Sequence, residues 1–439
     1  MLNKLLFKPI DNSALIVFRV LFGLLISIES FGAILTGWVR QVLIEPKFTF
    51  SFIGFEWLQP LPGFWMYVYF GVMGICGLMV MVGYKYRWSI VSFAILWSGT
   101  YFMQKSSYNN HYFLLILLSL FMAVVPANAN TSIDSKRDIS IKNSLMPQWC
   151  ALIFIAQMFI VYTYASIAKL YPDWLNATAV EILLKSKENY LIVGNLLQQK
   201  WMHYIIAYFG IIFDLLIVPL LLWKRSRKYA FLVVIVFHLF NSIVFQIGIF
   251  PYMSLALCVF FFDPKTIRNK FFRTQKIIES KQTSAVKNKN IIKALFIGYF
   301  IIQLVLPLRH WIIKDDVLWT EEGHRLSWRM MLRAKQGIIN FRVVDKQNSQ
   351  TIPIQLDNYL TYKQQRSFAT KPDMIWQIAQ FIKKKYKEEG NRDVMVFVDC
   401  QIRVNGKPFK QLIDPEVDLA SVEWNAFKHS SWILPSKQD

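Results

Sequence analysis

A polytopic α-helical membrane protein, with about nine transmembrane helices followed by a small α+β exterior domain, is the fold class this sequence predicts. Three observations lead there. The 439 residues are 54% hydrophobic but only 18% charged, against roughly 25% charged in an ordinary soluble chain. The deficit gathers into apolar stretches, and crossing a hydrocarbon core of about 30 Å takes roughly 20 such residues. The 49 Lys and Arg exceed the 28 Asp and Glu, and the surplus falls between those stretches, where orientation at insertion uses it. This distribution is that of loops rather than of a nucleic-acid-binding patch. The apolar content also excludes a disordered chain.

Apolar spans run near 14–35, 64–83, 88–105, 109–127, 148–170, 201–223, 229–248, 249–262 and 292–308. The first begins only after Asp11, contains Arg19 and lacks a small-residue cleavage site, so it does not read as a cleaved signal. Pro60-Leu61-Pro62-Gly63 is a turn into the second span. Gly71, Gly74 and Gly77 recur within that span and point to close helix packing. The eighth is short and begins at Pro251, so it reads as broken or partly re-entrant, with eight spans as the alternative count.

Lys4 and Lys8, Lys85 and Arg87, then Lys136, Arg137 and Lys142 flank the first spans. Lys224, Arg225, Arg227, Lys228 and the basic segment 263–291 follow later ones. With nine spans all fall on one side, which the positive-inside rule makes cytoplasmic together with the N-terminus. The tail from His310 then lies outside, periplasmic in a bacterium. The exterior loop 170–200 departs from the rule, because it carries Lys185, Lys187 and Lys200. The expected division is a transmembrane domain over 1–308 and an exterior domain over 309–439.

In the tail, Ile375, Ile378, Ala379 and Ile382 recur at helical spacing ahead of a basic helix end at 383–387. Val394, Val396, Val398, Cys400, Ile402 and Val404 alternate with polar neighbours, as in a half-buried strand. Asn405–Gly406 then marks a hairpin, since both residues tolerate positive φ. Cys76, Cys150, Cys258 and Cys400 show neither a disulfide framework nor zinc spacing, and no metal site is expected.

Ionisable groups within spans are expensive and mark functional candidates. Arg19 and Asp214 are the deepest, and the plain expectation pairs them with each other, or Arg19 with Glu29; holding an anionic substrate is the alternative. Lys169 closes the fifth span before Tyr171-Pro172-Asp173-Trp174. It reads either as a snorkelling lysine beside a belt tryptophan or, if desolvated, as an amine able to take a proton. His111 enters the fourth span behind Asn109 and Asn110, and His238, Asn241 and Gln246 lie roughly on one face of the seventh.

These residues carry a resemblance. Phe18-Arg19-Val20-Leu21-Phe22-Gly23, Leu58-Gln59-Pro60-Leu61-Pro62, Ser107-Tyr108-Asn109-Asn110-His111-Tyr112 and Ala165-Ser166-Ile167-Ala168-Lys169-Leu170 occur in order. Phe237-His238-Leu239-Phe240-Asn241-Ser242, Ser327-Trp328-Arg329-Met330-Met331, Asp414-Pro415-Glu416-Val417-Asp418 and Ser431-Trp432 follow. Together they resemble the vitamin K-dependent gamma-glutamyl carboxylases and their bacterial relatives, which share the HTTM membrane domain.

The resemblance implies an enzyme that uses reduced vitamin K (a naphthohydroquinone held in the membrane), O2 and CO2. A lysine deprotonates the hydroquinone, oxygenation yields a strong base, and that base removes a γ-proton from a protein glutamate. The carbanion takes up CO2 and the quinone leaves as its epoxide. Lys169 matches the catalytic lysine and His111 the histidine of the Asn-Asn-His motif. His238 and Asn241 match residues lining the quinone pocket; Asn109, Asn110 and Trp328 stand in matched stretches as further substrate-binding candidates. The partners implied are a membrane quinone within the lipid bilayer and a glutamate-containing protein on the exterior side. Two departures matter. The family's lysine is often one of a pair, whereas Ala168 precedes Lys169 here, and animal members continue beyond the length of this chain. Hydroquinone epoxidation without carboxylation is therefore one alternative. A non-catalytic quinone- or lipid-binding protein is another; a transporter would show repeat symmetry, and none is apparent.

Overall fold

A computed structural model describes residues 2–273 and 288–437; the expected basic segment 263–291 therefore lies partly outside the described residues. The helices used in describing the site are labelled in chain order. They are α1 (Ser13–Leu35), α2 (Phe64–Val82), α3 (Tyr86–Met103), α4 (Asn110–Val124), α5 (Trp149–Ile167), α6 (Thr178–Lys185), α7 (Lys200–Leu222), α8 (Arg227–Phe240), α9 (Phe250–Leu257) and α10 (Lys289–Val305). All but α6 match an expected span.

Of the nine expected crossings, six are matched by helices of full membrane-spanning length and hydropathy. Among the described residues, six helices are long and apolar enough to cross a membrane: α1, α2, α5, α7, α8 with its π-helical continuation to Phe245, and α10 with its extension to Trp311. The apolar helices Asn110–Val124 and Phe250–Phe261 are shorter. At 1.5 Å per residue they reach only about 20 Å. The α3 helix has the length, but its Tyr, Trp, Ser and Thr side chains dilute its hydropathy. The eighth span, expected to be broken or partly re-entrant, is a short apolar helix over Phe250–Phe261 with Pro251 in its first turn, and the irregular backbone lies before it. After α8 the chain makes a π turn over Asn241–Phe245, then Gln246 and Gly248 take positive φ (53° and 65°) before α9 starts.

Glycine lets α1 and α2 touch. A Cβ on Gly77 would stand 2.7 Å from Ser27 N, and one on Gly23 2.3 Å from Met81 N. Gly74 abuts the Phe31 ring and accepts a hydrogen bond from Ser27 Oγ at 3.0 Å, but Gly71 faces open space. Phe154 stacks on Phe260 at 4.6 Å and meets Phe18 edge-on, which joins α1, α5 and the end of α9 in one core. Outward faces such as Leu232, Val236, Ile301 and Ile302 stay exposed and apolar, as a lipid-facing surface requires.

Arg19 corrects a further expectation. It pairs with neither Asp214 nor Glu29; its guanidinium donates to the carbonyls of Ala127 (2.9 Å) and Thr131 (2.7 Å). The loop after α4 turns several carbonyls towards Arg19, and a five-donor fork answers them at once.

The α+β unit is an antiparallel sheet. Besides the short pair β1 (Pro9–Asp11) and β2 (Leu145–Pro147), the strands are β3 (Lys335–Asp345), β4 (Thr351–Ile352), β5 (Val394–Val404) and β6 (Lys410–Ile413), ordered β4-β3-β5-β6. The alternating residues of β5 from Val394 to Ile402 are buried against α11 (Pro372–Gly390). Asn405 and Gly406 take φ of 50° and 74° as expected. Pairing resumes only at Lys410, because Pro408 has no N–H to donate. Phe50, from the α1–α2 connection, completes this core.

Candidate functional site

The site grows from the end of α5. Ser166 Oγ donates to Ile211 O at 3.0 Å and draws α5 against α7. The last turn of α5 then delivers Lys169 to Asp214, with Nζ donating to Oδ2 at 2.5 Å and to Ala165 O at 3.1 Å. Both side chains are buried, at 10% and 7% exposed. This is not the arrangement of a snorkelling lysine, whose head would reach water. Trp174 is no belt residue either: it is buried, its Nε1 donates to Ala207 O at 3.0 Å, and its ring lies 5.6 Å from Lys169 Nζ.

Lys169 and Asp214 border a cavity of about 90 Å³ between α5, α7 and α8. Its other walls are largely apolar, with Trp174, Phe237, Phe245 and Phe250 around it and Asn241 and Tyr162 as polar fixtures. Val180 and Leu183 from α6 close one end of it, and Met330 and Met331 form another wall. The 170–200 loop, which departs from the charge rule, is thus the cover of this cavity, with its own apolar cluster around Trp174, Val180 and Leu184.

The expected residues divide. Lys169 and Asn241 line the cavity. His238 is fully buried behind it, its Nε2 2.7 Å from the hydroxyl of Tyr162, which does line it. His111 faces Gly248, with Nε2 3.5 Å from where a Cβ would stand; Ile247, next along the chain, is in the wall. Asn109 caps α4 by accepting from Tyr112 N at 2.8 Å. Asn110 donates to Arg329 O (2.8 Å) and accepts from Tyr108, whose hydroxyl accepts from Leu326 N (2.7 Å). Trp328 is buried and stacks on Phe113 at 5.2 Å. Asn109, Asn110 and Trp328 therefore lie outside the lining, and Asn110 and Trp328 anchor the 326–331 segment that carries Met330 and Met331.

Sequence reasoning placed Asp214 wrongly and missed Tyr162, Trp174, Met330 and Met331 as wall residues. Asp214 had one signal, an unexplained acid in an apolar run. The methionines had none beyond their place in a matched stretch.

A second ionic layer joins the α+β unit to the helices. Asp373 of α11 holds Lys105 at 2.5 Å and Arg325 at 2.7 Å, and its side chain is only 5% exposed. Burial would raise the Asp373 carboxyl, but Arg325 and Lys105 overcome it and hold it at about 2. Burial outweighs Asp373 at Lys105 and pulls that amine to about 8. Glu321 is gripped by Arg333 and Lys335, which hold it well below the carboxylate range despite burial.

Two family models match this architecture: the HTTM domain over residues 7–265, and the vitamin K-dependent gamma-carboxylase lumenal domain over residues 288–439. No solved structure matches. The apolar helices and the HTTM match define a multi-pass membrane protein whose C-terminal part is of the lumenal type. The chain belongs to the vitamin K-dependent gamma-carboxylase family, and it is carboxylase-like in both of its parts.

Proposed function

We propose that this chain couples oxygenation of a reduced naphthoquinone to carboxylation of a protein glutamate on the exterior side of the membrane. The observation that carries the reading is the Lys169–Asp214 pair, buried at the edge of an apolar cavity beneath an exterior cover. The donor set suits a naphthohydroquinone: aromatic walls for a flat ring, one amide at Asn241 for a ring oxygen, and unbranched Met330 and Met331 that can move to admit it. Bound there with O2 and CO2, reduced vitamin K supplies the base and the oxidative driving force, and leaves as the epoxide.

The chain's own residues do the rest. Lys169 Nζ takes the hydroxyl proton, which requires a neutral amine. Asp214, sharing its 2.5 Å hydrogen bond, holds the proton that Lys169 gives up before each turnover. Only one lysine is available, since Ala168 precedes it. Tyr162, oriented by His238, and His111 beside Gly248 supply the remaining polar contacts near the ring. Trp174, Val180 and Leu183 exclude water, which would quench a strong base.

The orientation follows the same reading. Lys105 and Tyr171, at the ends of α3 and α5, bond to the α+β unit through Asp373 and Leu332. The basic turns at 85–87, 136–142 and 224–228 lie at the opposite helix ends. The N-terminus is then cytoplasmic, and the exterior domain begins at 309. The test is Lys169→Ala in lipid nanodiscs, with quinone binding and turnover measured separately. Loss of epoxide formation with binding retained supports the base. Undiminished turnover would sink it, and a wild type that binds quinone but consumes no O2 would be a binder only.

A further inference from the structure

The 170–200 loop covers the Lys169 cavity with Val180 and Leu183, but its own tip is turned away from the protein. Past α6 the chain folds into a closed turn. Lys187 N donates to Leu184 O at 2.8 Å, and Gly194 N donates back to Tyr190 O at 2.8 Å. A Cβ on Gly194 would stand 2.0 Å from Glu188 O, so glycine is what lets the two arms of the turn touch. The Tyr190 hydroxyl accepts from Lys187 Nζ at 3.2 Å and from Gln246 Nε2 at 3.4 Å, which ties the turn to the break after α8. At the apex, Leu191 and Ile192 are 102% and 92% exposed, the two most exposed large apolar side chains among the described residues.

Apolar groups so placed are unfavourable in water, and the position of the apex says what meets them. It stands shortly before Lys200, where the spanning helix α7 begins, and Gln246 directly follows the last residue of the α8 span. The α8 helix returns along α7, with Phe237 stacked on Phe213, so both points belong to the same membrane boundary. From Lys200 onward α7 exposes Trp201, Tyr204, Ile205 and Tyr208, and aromatic residues collect at the headgroup level. Lys185 and Lys200 are exposed on either side of the turn, as are Glu181 and Glu188. A lysine there lays its stem on apolar surface while its ammonium reaches the headgroups.

We propose that this apex is an interfacial lipid anchor: Leu191 and Ile192 seat in the headgroup–acyl boundary of the leaflet at the start of α7, with Lys185 and Lys200 among the headgroups. The occupant is the bilayer's own lipid, because the apex adjoins the lipid-facing surface of α7. The inference needs the membrane class of the chain and not the carboxylase reading. Elsewhere the cover meets the α+β unit, since a Cβ on Gly406 would stand 3.3 Å from Ile182 Cδ1. The cover is thus held by the Asn405–Gly406 turn at α6 and by lipid at its tip.

The test is the emission of a nitrobenzoxadiazole label on the full chain in nanodiscs of phosphatidylcholine and phosphatidylglycerol. It is read with and without phosphatidylcholine that carries a doxyl quencher near the top of its acyl chain. The label is placed on Ile192→Cys, with Ile302→Cys near the end of α10 and Glu388→Cys on α11 as references, both exposed positions. Cys76, Cys150, Cys258 and Cys400 are buried, and unsubstituted protein taken through the labelling gives the background. The Ile192→Cys label should be blue-shifted and lose about half or more of its emission to the quencher, as seating about 5–10 Å into the boundary requires. The Ile302→Cys label should be quenched likewise and the Glu388→Cys label should not. Red-shifted, unquenched emission from Ile192→Cys puts the apex in water and overturns the anchor. Blue-shifted but unquenched emission puts it against protein, a second copy of this chain included, and overturns it as well. Leu191→Cys gives the same reading if Ile192→Cys does not fold.

Discussion

Asp373 is the residue on which the junction between helices and sheet turns, and its chemistry has a measurable signature. Its carboxyl, held at about 2 against an ordinary value of 3.8, binds a proton less readily folded than unfolded. The stability it contributes is complete above about pH 4 and is lost as pH falls from there towards 2. Asp373→Asn should remove that acid-limb loss. At neutral pH it should destabilise the protein by about 3–5 kcal/mol, because Lys105 and Arg325 would be left buried without an anion. Thermal melts across pH 2–7 check both; a variant as stable as wild type at pH 7 contradicts the account. Asp214→Asn should lower turnover by about a hundredfold or more without weakening quinone binding, as expected when a proton-transfer partner is lost. A matching loss of binding would make Asp214 structural instead. Lys169 was legible in the sequence because it ends an apolar run. Its partner, 45 residues on, was not, since spacing along the chain does not say which helices pack. Arg19 misled for the same reason: its acceptors are backbone carbonyls, which no side-chain inventory reveals.

Among the elements, the α1–α2 pair gives the sharpest contrast. Gly77→Ala would drive a Cβ into the Ser27 backbone, whereas Gly71→Ala meets nothing within 4 Å. The first should cost about 1–3 kcal/mol as overpacking; the second should be neutral or slightly favourable, since alanine is the better helix former. Unfolding in mixed micelles checks the pair, and equal effects would contradict the packing. The sequence showed the glycine stripe but not which of its members is the contact. Helix positions and the β5 strand were legible because both rest on local periodicity. Which of the nine reach full spanning length was not, since a polar or shortened helix can sit among long ones once protein rather than lipid surrounds it. The cover over the cavity was equally hidden: Val180, Leu183 and Leu184 recur at helical spacing, but nothing along the chain says that they pack on α7.

For the whole molecule, the ionic junction and the cover make one arrangement: a largely apolar cavity among helices, with a folded unit joined to the helix ends. Tags at the two termini should label from opposite faces of sealed vesicles, the N-terminal one from the cytoplasmic side; labelling of both from one side would overturn the orientation. The central claim is that Lys169 takes the hydroquinone's proton and so starts the oxygenation that drives carboxylation. It is tested most directly by following epoxide formation and labelled CO2 incorporation together, in wild type and Lys169→Ala. The reaction contains a reduced naphthoquinone, O2 and a glutamate-containing peptide. The account predicts both products from wild type and neither from a folded, quinone-binding Lys169→Ala. Epoxide and label persisting together in the variant would contradict it.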